Sequence, residues 1–163
     1  MSSIVSRGGS IDGFALLVHG GAGAVKEARR AERTEGCRRA AAVGASALRA
    51  GGSALVAVEE AVRALEDDPL FNAGTGACLN AQGRVEHDAS IMEGTRLGAG
   101  AVCALDGFAA PISIARAALA DGRHVLYAGP GEIRARAGGP EAPSAPSPST
   151  PAAASPRRRA PAG

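Results

Sequence analysis

The sequence is poor in aromatic residues, in cysteine and in long apolar runs. Only 2% of its 163 residues are aromatic, with no Trp and one Tyr, so the core must be built from Ala, Val, Leu and Ile. Cys37, Cys78 and Cys103 are widely spaced and form no C-x-x-C motif, which favours buried, reduced thiols over a disulfide framework or a zinc site. No run approaches the ~18 apolar residues of a membrane helix, and the N-terminus lacks a signal-peptide core. These absences predict a cytoplasmic protein without a membrane partner.

A clustered excess of positive charge is also missing from the body of the chain. The three Arg and one Glu of residues 138–163 account for the whole formal net charge of +2. Residues 1–137 therefore hold 15 basic and 15 acidic residues. A nucleic-acid surface needs a patch rich in Lys and Arg. The charge distribution therefore predicts no nucleic-acid partner.

Composition divides the chain into three segments. Residues 1–13 are rich in Ser and Gly and are predicted to be a flexible N-terminus. Residues 14–132 carry the large apolar residues and are predicted to form the folded domain. Residues 133–163 form a tail rich in Pro, Ala, Ser and Arg, and from residue 138 onward no aliphatic side chain is larger than Ala. Such a tail cannot bury enough apolar area to offset the entropy of ordering, so we expect it to be disordered.

Hydrophobic periodicity predicts alternating helices and strands in the domain. An apolar stripe at three- and four-residue spacing marks the second helix, and it consists of Leu55, Val58, Val62 and Leu65. Ser53 is placed to cap that helix, and Pro111 is suited to begin the third. The predicted helices are Ala28–Ala50, Ala54–Asp67 and Pro111–Ala120. The predicted strands are Phe14–His19, Val85–Met92, Ala99–Leu105 and His124–Tyr127.

The stretch from Leu65 to Met92 reads LEDDPLFNAGTGACLNAQGRVEHDASIM. Pro69 stops the preceding helix, because it lacks an N–H and its ring clashes with the preceding turn. Glycines and short polar residues follow, which are suited to tight turns and to aiming hydrogen bonds. In isolation this composition is typical of an ordinary helix-to-strand connection.

The order of these residues is more specific than an ordinary helix-to-strand connection requires. LEDDPLFNAGTG followed by LNAQGRVEHDASIM resembles the signature of the isoaspartyl peptidase/L-asparaginase family of N-terminal nucleophile hydrolases. Two further segments match in order and rough spacing: Val18-His19-Gly20-Gly21-Ala22-Gly23 upstream, and Ala99-Gly100-Ala101-Val102 followed by Pro111-Ile112 downstream. The resemblance covers only the N-terminal (alpha-subunit) portion of the family. It implies an α+β fold, the first half of a four-layer αββα sandwich.

The resemblance also implies a chemistry. Family members undergo autocatalytic cleavage before a threonine, whose hydroxyl then becomes the nucleophile with its own α-amino group as the base. Their substrates are the side-chain amide of L-asparagine and β-aspartyl peptides. That threonine lies in a strand past the region of resemblance. Among the threonines of this chain, Thr34 lies in a helical pattern, Thr75 inside the signature loop and Thr150 in the tail, and Gly94-Thr95 falls at a position that matches a polar turn of the family. No catalytic nucleophile is therefore assigned. The chain is predicted to be an inactive member of this hydrolase family or, alternatively, a non-catalytic partner or dominant-negative subunit that associates with a full-length family subunit.

Four residues are expected to support the site. His19, Gly20 and Gly21 resemble the family's flexible glycine strand end, which lies behind the nucleophile. Hydrogen bonding that holds the glycines is the favoured role for His19, with proton transfer as the alternative. Asn72 matches a residue near the nucleophile whose amide can donate to a developing oxyanion.

No cofactor is expected apart from a structural Na⁺. The resemblance implies a loop that wraps sodium with backbone carbonyls, an oxygen-ligand arrangement suited to a hard cation. The implied donors are Leu65, Glu66, Asp68, Phe71, Ala73 and Thr75. For Glu66-Asp67-Asp68 a solvated helix end or a divalent-metal site are competing interpretations.

Two other interpretations are disfavoured by spacing. His87 and Asp88 are adjacent on a predicted strand and point to opposite faces, which argues against a catalytic triad with Ser90. The glycines of residues 20–23 lack the helix entry or lysine of a phosphate-binding loop.

Overall fold

The structure is a computed structural model that describes residues 13–129, together with the backbone of residues 5–7. Helices and strands are mixed, so the fold class is α+β, as predicted. The helices are α1 (Glu27–Arg49), α2 (Ala54–Glu66) and α3 (Pro111–Asp121), with a 3₁₀ turn at Gly74–Gly76. The strands are β1 (Val5–Arg7), β2 (Leu17–His19), β3 (His87–Glu93), β4 (Gly98–Leu105) and β5 (Leu126–Ala128). The predicted elements are confirmed, with boundaries that move by a few residues, whereas the tail predicted from residue 133 lies outside the described residues.

The strands form two sheets. β1 pairs antiparallel with β2, so a strand lies inside residues 1–13, for which the sequence predicted flexibility. In the second sheet β3 is antiparallel to β4, and β4 is parallel to β5. Parallel neighbours need a crossover, and α3 supplies it.

Local sequence sets the helix ends. The Ser53 hydroxyl accepts a hydrogen bond from the Val56 N–H and so caps α2 as predicted. Pro111 begins α3, where the missing N–H costs nothing, and Gly122 ends it at φ 66°, in the left-handed conformation that glycine adopts without a steric penalty. No helix within the described residues is long and apolar enough to cross a membrane.

Two hydrophobic clusters form the core, and α2 contributes to both. The first lies between α3 and the three-stranded sheet and includes Val102, Leu105 and Tyr127. The second lies between α1, β2 and the loop after α2, and includes Val18 and Cys37.

The stripe predicted on α2 is wrong in one respect. Leu55 and Val62 pack against the first cluster and Leu65 against the second, but Val58 is 36% exposed. The buried positions of α2 are Ala57, Ala61 and Glu66. The two alanines lie against Gly44 of α1, where close packing selects small side chains.

Residues 13–129 leave one face of the three-stranded sheet uncovered. α3 packs on the other face, where alternate residues of β3 and β4 are buried. On the uncovered face Met92 is 71% exposed and Leu126 is 55% exposed, with the small side chains of Ala99 and Ala101 between them. Exposed apolar area of this kind is typical of a surface that another element covers.

Candidate functional site

The loop after α2 is pinned to α1 by one carboxylate. Asp68 Oδ1 accepts a hydrogen bond from the Leu70 N–H at 3.0 Å, and Asp68 Oδ2 accepts one from Arg39 at 2.7 Å. An aspartate that bonds the backbone two residues ahead stabilises a turn, and the ion pair fixes that turn against α1. Pro69, which lies between Asp68 and Leu70 in the chain, prevents α2 from continuing.

Phe71 fills the space between this loop and the end of β2. Its side chain is 4% exposed, although the residue belongs to no helix or strand. A Cβ atom on Gly20 would lie 2.7 Å from Phe71 Cε1, and one on Gly36 would lie 2.7 Å from Phe71 Cε2. The structure therefore brings together two of the segments singled out by the sequence, the glycine strand end and the loop that carries Asn72.

Backbone oxygens converge inside the loop. A Cβ atom on Gly74 would collide with the Glu66 carbonyl oxygen, and one on Gly76 would collide with that of Phe71. Among the six predicted donors, three carbonyls accept a backbone hydrogen bond and belong to Leu65, Asp68 and Ala73. The other three, of Glu66, Phe71 and Thr75, accept no backbone hydrogen bond within residues 13–129. The loop thus offers oxygen atoms, the ligand type of hard cations.

The three consecutive carboxylates do not form a divalent-metal site. Asp67 is exposed, Asp68 binds Arg39, and Glu66 is buried with 4% exposure. Residues 13–129 contain no cluster of three or more His, Cys, Asp or Glu that could hold a metal ion. Within these residues the side chains give the divalent interpretation no support, and the solvated-end interpretation fits Asp67.

Glu66 instead caps a helix far away in sequence. Its Oε1 accepts a hydrogen bond from the Ile112 N–H at 3.1 Å, within the first turn of α3, while its buried Oε2 has no partner among residues 13–129. Burial is the main cause that raises the pKa of this carboxyl, to about 7, because the charged form is desolvated. The hydrogen bond from Ile112 acts in the opposite direction.

Asn72 has a defined orientation. Its side-chain oxygen accepts a hydrogen bond from the Cys78 N–H at 2.7 Å, which closes the loop around the 3₁₀ turn. Because the oxygen is occupied, the exposed side chain presents its NH₂ group as a donor. An outward NH₂ is the chemistry required to stabilise a developing negative charge.

The glycine strand end is held by packing. The His19 side chain is exposed and has no hydrogen-bond partner among residues 13–129, so the expected hydrogen bonding from His19 is not seen there. Gly20 lies against Cys37 Sγ and the Phe71 ring, and burial raises the pKa of the Cys37 thiol. Gly21 has φ 102°, which only glycine adopts without strain.

Each of the described threonines either makes a hydrogen bond to a residue nearby in sequence or lies in a turn. Thr34 bonds the Arg30 carbonyl within α1, and Thr75 is in the 3₁₀ turn. The Thr95 backbone N–H donates to Glu93, and the Thr95 side chain also bonds that carboxylate, the first cause of a lowered Glu93 pKa. Thr150 lies outside the described residues.

The Asp88 carboxylate bonds the backbone of a β-bulge and does not pair with His87. The register between β3 and β4 shifts there, so that Cys103 and Ala104 face one residue of β3. Asp88 Oδ1 accepts a hydrogen bond from the Ala104 N–H at 2.9 Å, and a hydrogen bond to Asp88 is the main cause that raises the Cys103 pKa. This arrangement agrees with the exclusion of a triad.

Sequence reasoning missed three contributions to this region: the capping carboxylate of Glu66, the wedge formed by Phe71, and the bulge at Asp88. Each depends on a residue distant in sequence, so no local pattern signals it. Only the position of the Phe71 ring was weakly indicated by the sequence, because Gly20 and Gly36 lack Cβ atoms and so leave room for a ring.

Fold and site define an α+β domain in which a glycine strand end and a polar, oxygen-rich loop meet. The family model described as asparaginase (Asparaginase_2) matches residues 12–139. The chain is 50% identical over 121 residues to a plant-type L-asparaginase from Pyrococcus horikoshii, covering 74% of this chain and 39% of the relative. It is 49% identical over 131 residues to the human isoaspartyl peptidase/L-asparaginase, covering 78% of this chain and 42% of the relative. The chain belongs to the asparaginase family, and it spans about two fifths of the length of these relatives.

Proposed function

We propose that this chain forms the nucleophile-supporting portion of a hydrolase that cleaves the side-chain amide of L-asparagine and β-aspartyl peptides. The observation that carries the proposal is the junction of the glycine strand end with the Asn72 loop, in a chain about half identical to asparaginases of this family. Asn72 presents an NH₂ donor whose geometry is fixed by its bond to Cys78. That donor would stabilise the oxyanion of an acyl-transfer reaction.

The nucleophile would come from residues that these 163 do not include. No threonine among them matches the family's nucleophile, and the described ones have other partners or positions. We therefore expect the 163-residue polypeptide by itself to be inactive and not to cleave itself. The uncovered sheet face with Met92 and Leu126 would pack against the remaining half of a four-layer αββα sandwich.

A structural Na⁺ belongs to this proposal. The carbonyl oxygens of Glu66 and Phe71 lie close against Gly74 and Gly76, whose missing Cβ atoms allow this close approach of the backbone. These residues fit a monovalent cation held by backbone oxygens. The bound ion would hold the Asn72 loop in shape and would supply no step of the reaction.

The test is complementation. The purified chain is assayed with L-asparagine and a β-aspartyl dipeptide, first alone and then with the C-terminal portion of the human relative, expressed so that it begins at its nucleophilic threonine. We expect no turnover alone and measurable turnover after mixing. Asn72→Ala should lower kcat by about 10²-fold, the typical loss of one oxyanion donor, and Asn80→Ala, in the neighbouring turn, should not.

Turnover or a self-cleaved band from the chain alone would contradict the proposal of inactivity. A complex of chain and C-terminal portion that forms but stays inactive would contradict the supporting role. The second candidate function is a non-catalytic partner or dominant-negative subunit of intact family members, and the exposed apolar sheet face favours it. That candidate predicts co-purification with a full-length relative and loss of the relative's activity as the chain is titrated in.

A further inference from the structure

The Phe71 ring sits in a slot made by two glycines from different elements. Gly20 closes one side at the end of β2, and Gly36 closes the other from the middle of α1. On either glycine a Cβ atom would come 2.7 Å from a ring carbon, closer than real Cβ contacts. The two glycines therefore lie at opposite edges of the ring, Gly20 near Cε1 and Gly36 near Cε2, and neither edge leaves room for a Cβ atom.

The loop holds the ring in this slot from the other end. Asp68 binds Arg39 at 2.7 Å, which fixes the loop to α1 three residues before the ring. The Arg33 guanidinium lies 5.9 Å from the ring centroid, over its face. The ring is thus tied to α1 by the loop, while its free edge contacts the strand end.

Sheet pairing fixes the strand end at His19, which pairs with Val5 of β1, but the two glycines that follow have few contacts of their own. Gly20 and Gly21 have no side chains, Gly21 has φ 102°, and the neighbouring His19 ring has no hydrogen bond within residues 13–129. Within the described residues, the atoms nearest to a Cβ built on Gly20 are Cys37 Sγ and two carbons of the Phe71 ring.

We propose that Phe71 is the positioning residue that fixes the His19-Gly20-Gly21 strand end relative to Asn72. The proposal deepens the proposed function, because it names the side chain that couples the two halves of the same site. When the ring moves out of the slot, Gly20 and Gly21 gain conformational freedom while the rest of the domain stays folded. The strand end then no longer keeps one distance from the Asn72 amide.

Two variants and one matched control separate positioning from general stability. Phe71→Leu removes the flat ring and keeps an apolar side chain. Gly36→Ala displaces the ring from the opposite side. Gly44→Ala is the control, because it is the same change in the same helix and its Cβ would also meet an atom at 2.7 Å, the Ala57 carbonyl oxygen, away from the ring.

The readouts are local and need no substrate. Amide hydrogen exchange is measured at Gly20 and Gly21 and, for comparison, at Val102 and Leu105 in the other cluster. Reaction of the Cys37 thiol with a disulfide reagent is followed in a background that carries Cys78→Ser and Cys103→Ser. Cys37 is 1% exposed and lies against Gly20, so its labelling reports movement of the strand end.

We expect Phe71→Leu and Gly36→Ala to increase exchange at Gly20 and Gly21 and labelling of Cys37 by about tenfold relative to exchange at Val102 and Leu105. Gly44→Ala should leave these ratios within about twofold. Equal acceleration at all sites in every variant would overturn the proposal, since the ring would then serve stability alone. Phe71→Leu decides the matter if Gly36→Ala does not fold. The result is independent of complementation, so failure of either proposal is distinguishable from failure of the other.

Discussion

The Glu66 carboxylate and the Ile112 N–H, 46 residues apart in the chain, form a buried hydrogen bond of 3.1 Å that joins the end of α2 to the beginning of α3. Ala110, at the N-cap position of α3, provides no side-chain cap, and Glu66 satisfies one of the free N–H groups in its place. Because Glu66 also carries a carbonyl that faces the loop interior, it connects α3 with the candidate cation site.

The raised pKa of Glu66 predicts a pH dependence of stability. Its pKa is about 7 in the folded chain and lies near 4.3 in an unfolded one, so the folded state binds the proton more tightly. The favourable contribution is then complete below pH ~4.3, falls as pH rises toward 7, and the loss amounts to at most about 4 kcal/mol. Glu66→Gln keeps an acceptor for Ile112 and should remove this decline.

Urea unfolding between pH 5 and 8 in sodium-free buffer measures the effect. We expect Glu66→Gln to be more stable than the original chain at pH 8 and to show a flatter profile. Glu60→Gln, on an exposed side of the same helix, should change stability by no more than about 0.5 kcal/mol. A Glu66→Gln profile that runs parallel to that of the original chain would show that Glu66 does not titrate in this range.

The ion pair of Asp68 and Arg39 should matter less than the turn that Asp68 makes. The pair is partly exposed, and such pairs contribute about 0–1 kcal/mol. Asp68→Asn keeps an oxygen for the Leu70 N–H, so it should cost about 0.5–1 kcal/mol, whereas Asp68→Ala should cost about 1–2 kcal/mol. Arg38→Ala, which removes only a surface pair with Glu35, is the control in urea titrations. Equal losses for Asn and Ala at position 68 would assign the whole effect to the ion pair.

The bulge in β4 predicts a stabilising substitution. Ala104 has φ 53°, a left-handed conformation that is costly for any residue with a Cβ atom, and Asp88 accepts its N–H. Ala104→Gly should therefore raise the free energy of unfolding by about 0.5–1 kcal/mol. The same change at Ala101, in the regular part of β4, should lower it by a similar amount. If both substitutions are destabilising, the strain at residue 104 is relieved in some other way.

The candidate Na⁺ site predicts a cation-specific stabilisation. Replacing choline chloride by sodium chloride at constant ionic strength should raise the free energy of unfolding by about 1 kcal/mol if sodium is present at several times its Kd. Gly76→Ala should abolish this difference, because its Cβ would fall against the Phe71 carbonyl oxygen. Gly94→Ala, whose Cβ meets nothing within 4 Å, should preserve it. Equal stability of the original chain in both salts would argue against the site.

The uncovered sheet face predicts self-association. Met92 and Leu126 expose apolar side chains that water solvates poorly, so the isolated chain should aggregate or bind a partner. Met92→Lys combined with Leu126→Lys should reduce the aggregated fraction in sedimentation velocity and should also prevent complementation by the C-terminal portion. Two lysines at exposed polar positions away from the sheet, Ser46→Lys with Gln82→Lys, should retain more of the complementation. A soluble, monomeric original chain with a cooperative melt would count against this prediction.

Local signals in the sequence were sufficient for the helices and for strands β2 to β5, whereas β1 was missed because its segment carries no such signal. The apolar periodicity of α2, the Ser53 cap and Pro111 at the start of α3 act within a few residues, and the structure agrees with each. Val58 is the exception, because the burial of a helix face depends on which elements pack against it and not on spacing alone.

The candidate site was predictable only in part. The segments around Gly20 and Asn72 were identified from their residues, since glycines and short polar side chains mark special backbone geometry. Their mutual contact through Phe71 was not, because it requires two glycines and a ring from three separate segments to meet. The sequence also did not distinguish Glu66, which caps α3, from Asp68, which pairs with Arg39, because neighbouring carboxylates look alike in a sequence.

The sequence by itself determined the family, the order of helices and strands, and the residues with which a site could be built, since each of these is encoded in residue types at short spacing. Only the tertiary structure decided what those residues do for one another. It made the Glu66 carboxylate a cap for α3, paired Asp68 with Arg39, and placed the Phe71 ring against Gly20. The physical reason is that burial, close packing and pKa shifts arise between residues distant in the chain, and the fold alone brings them within contact.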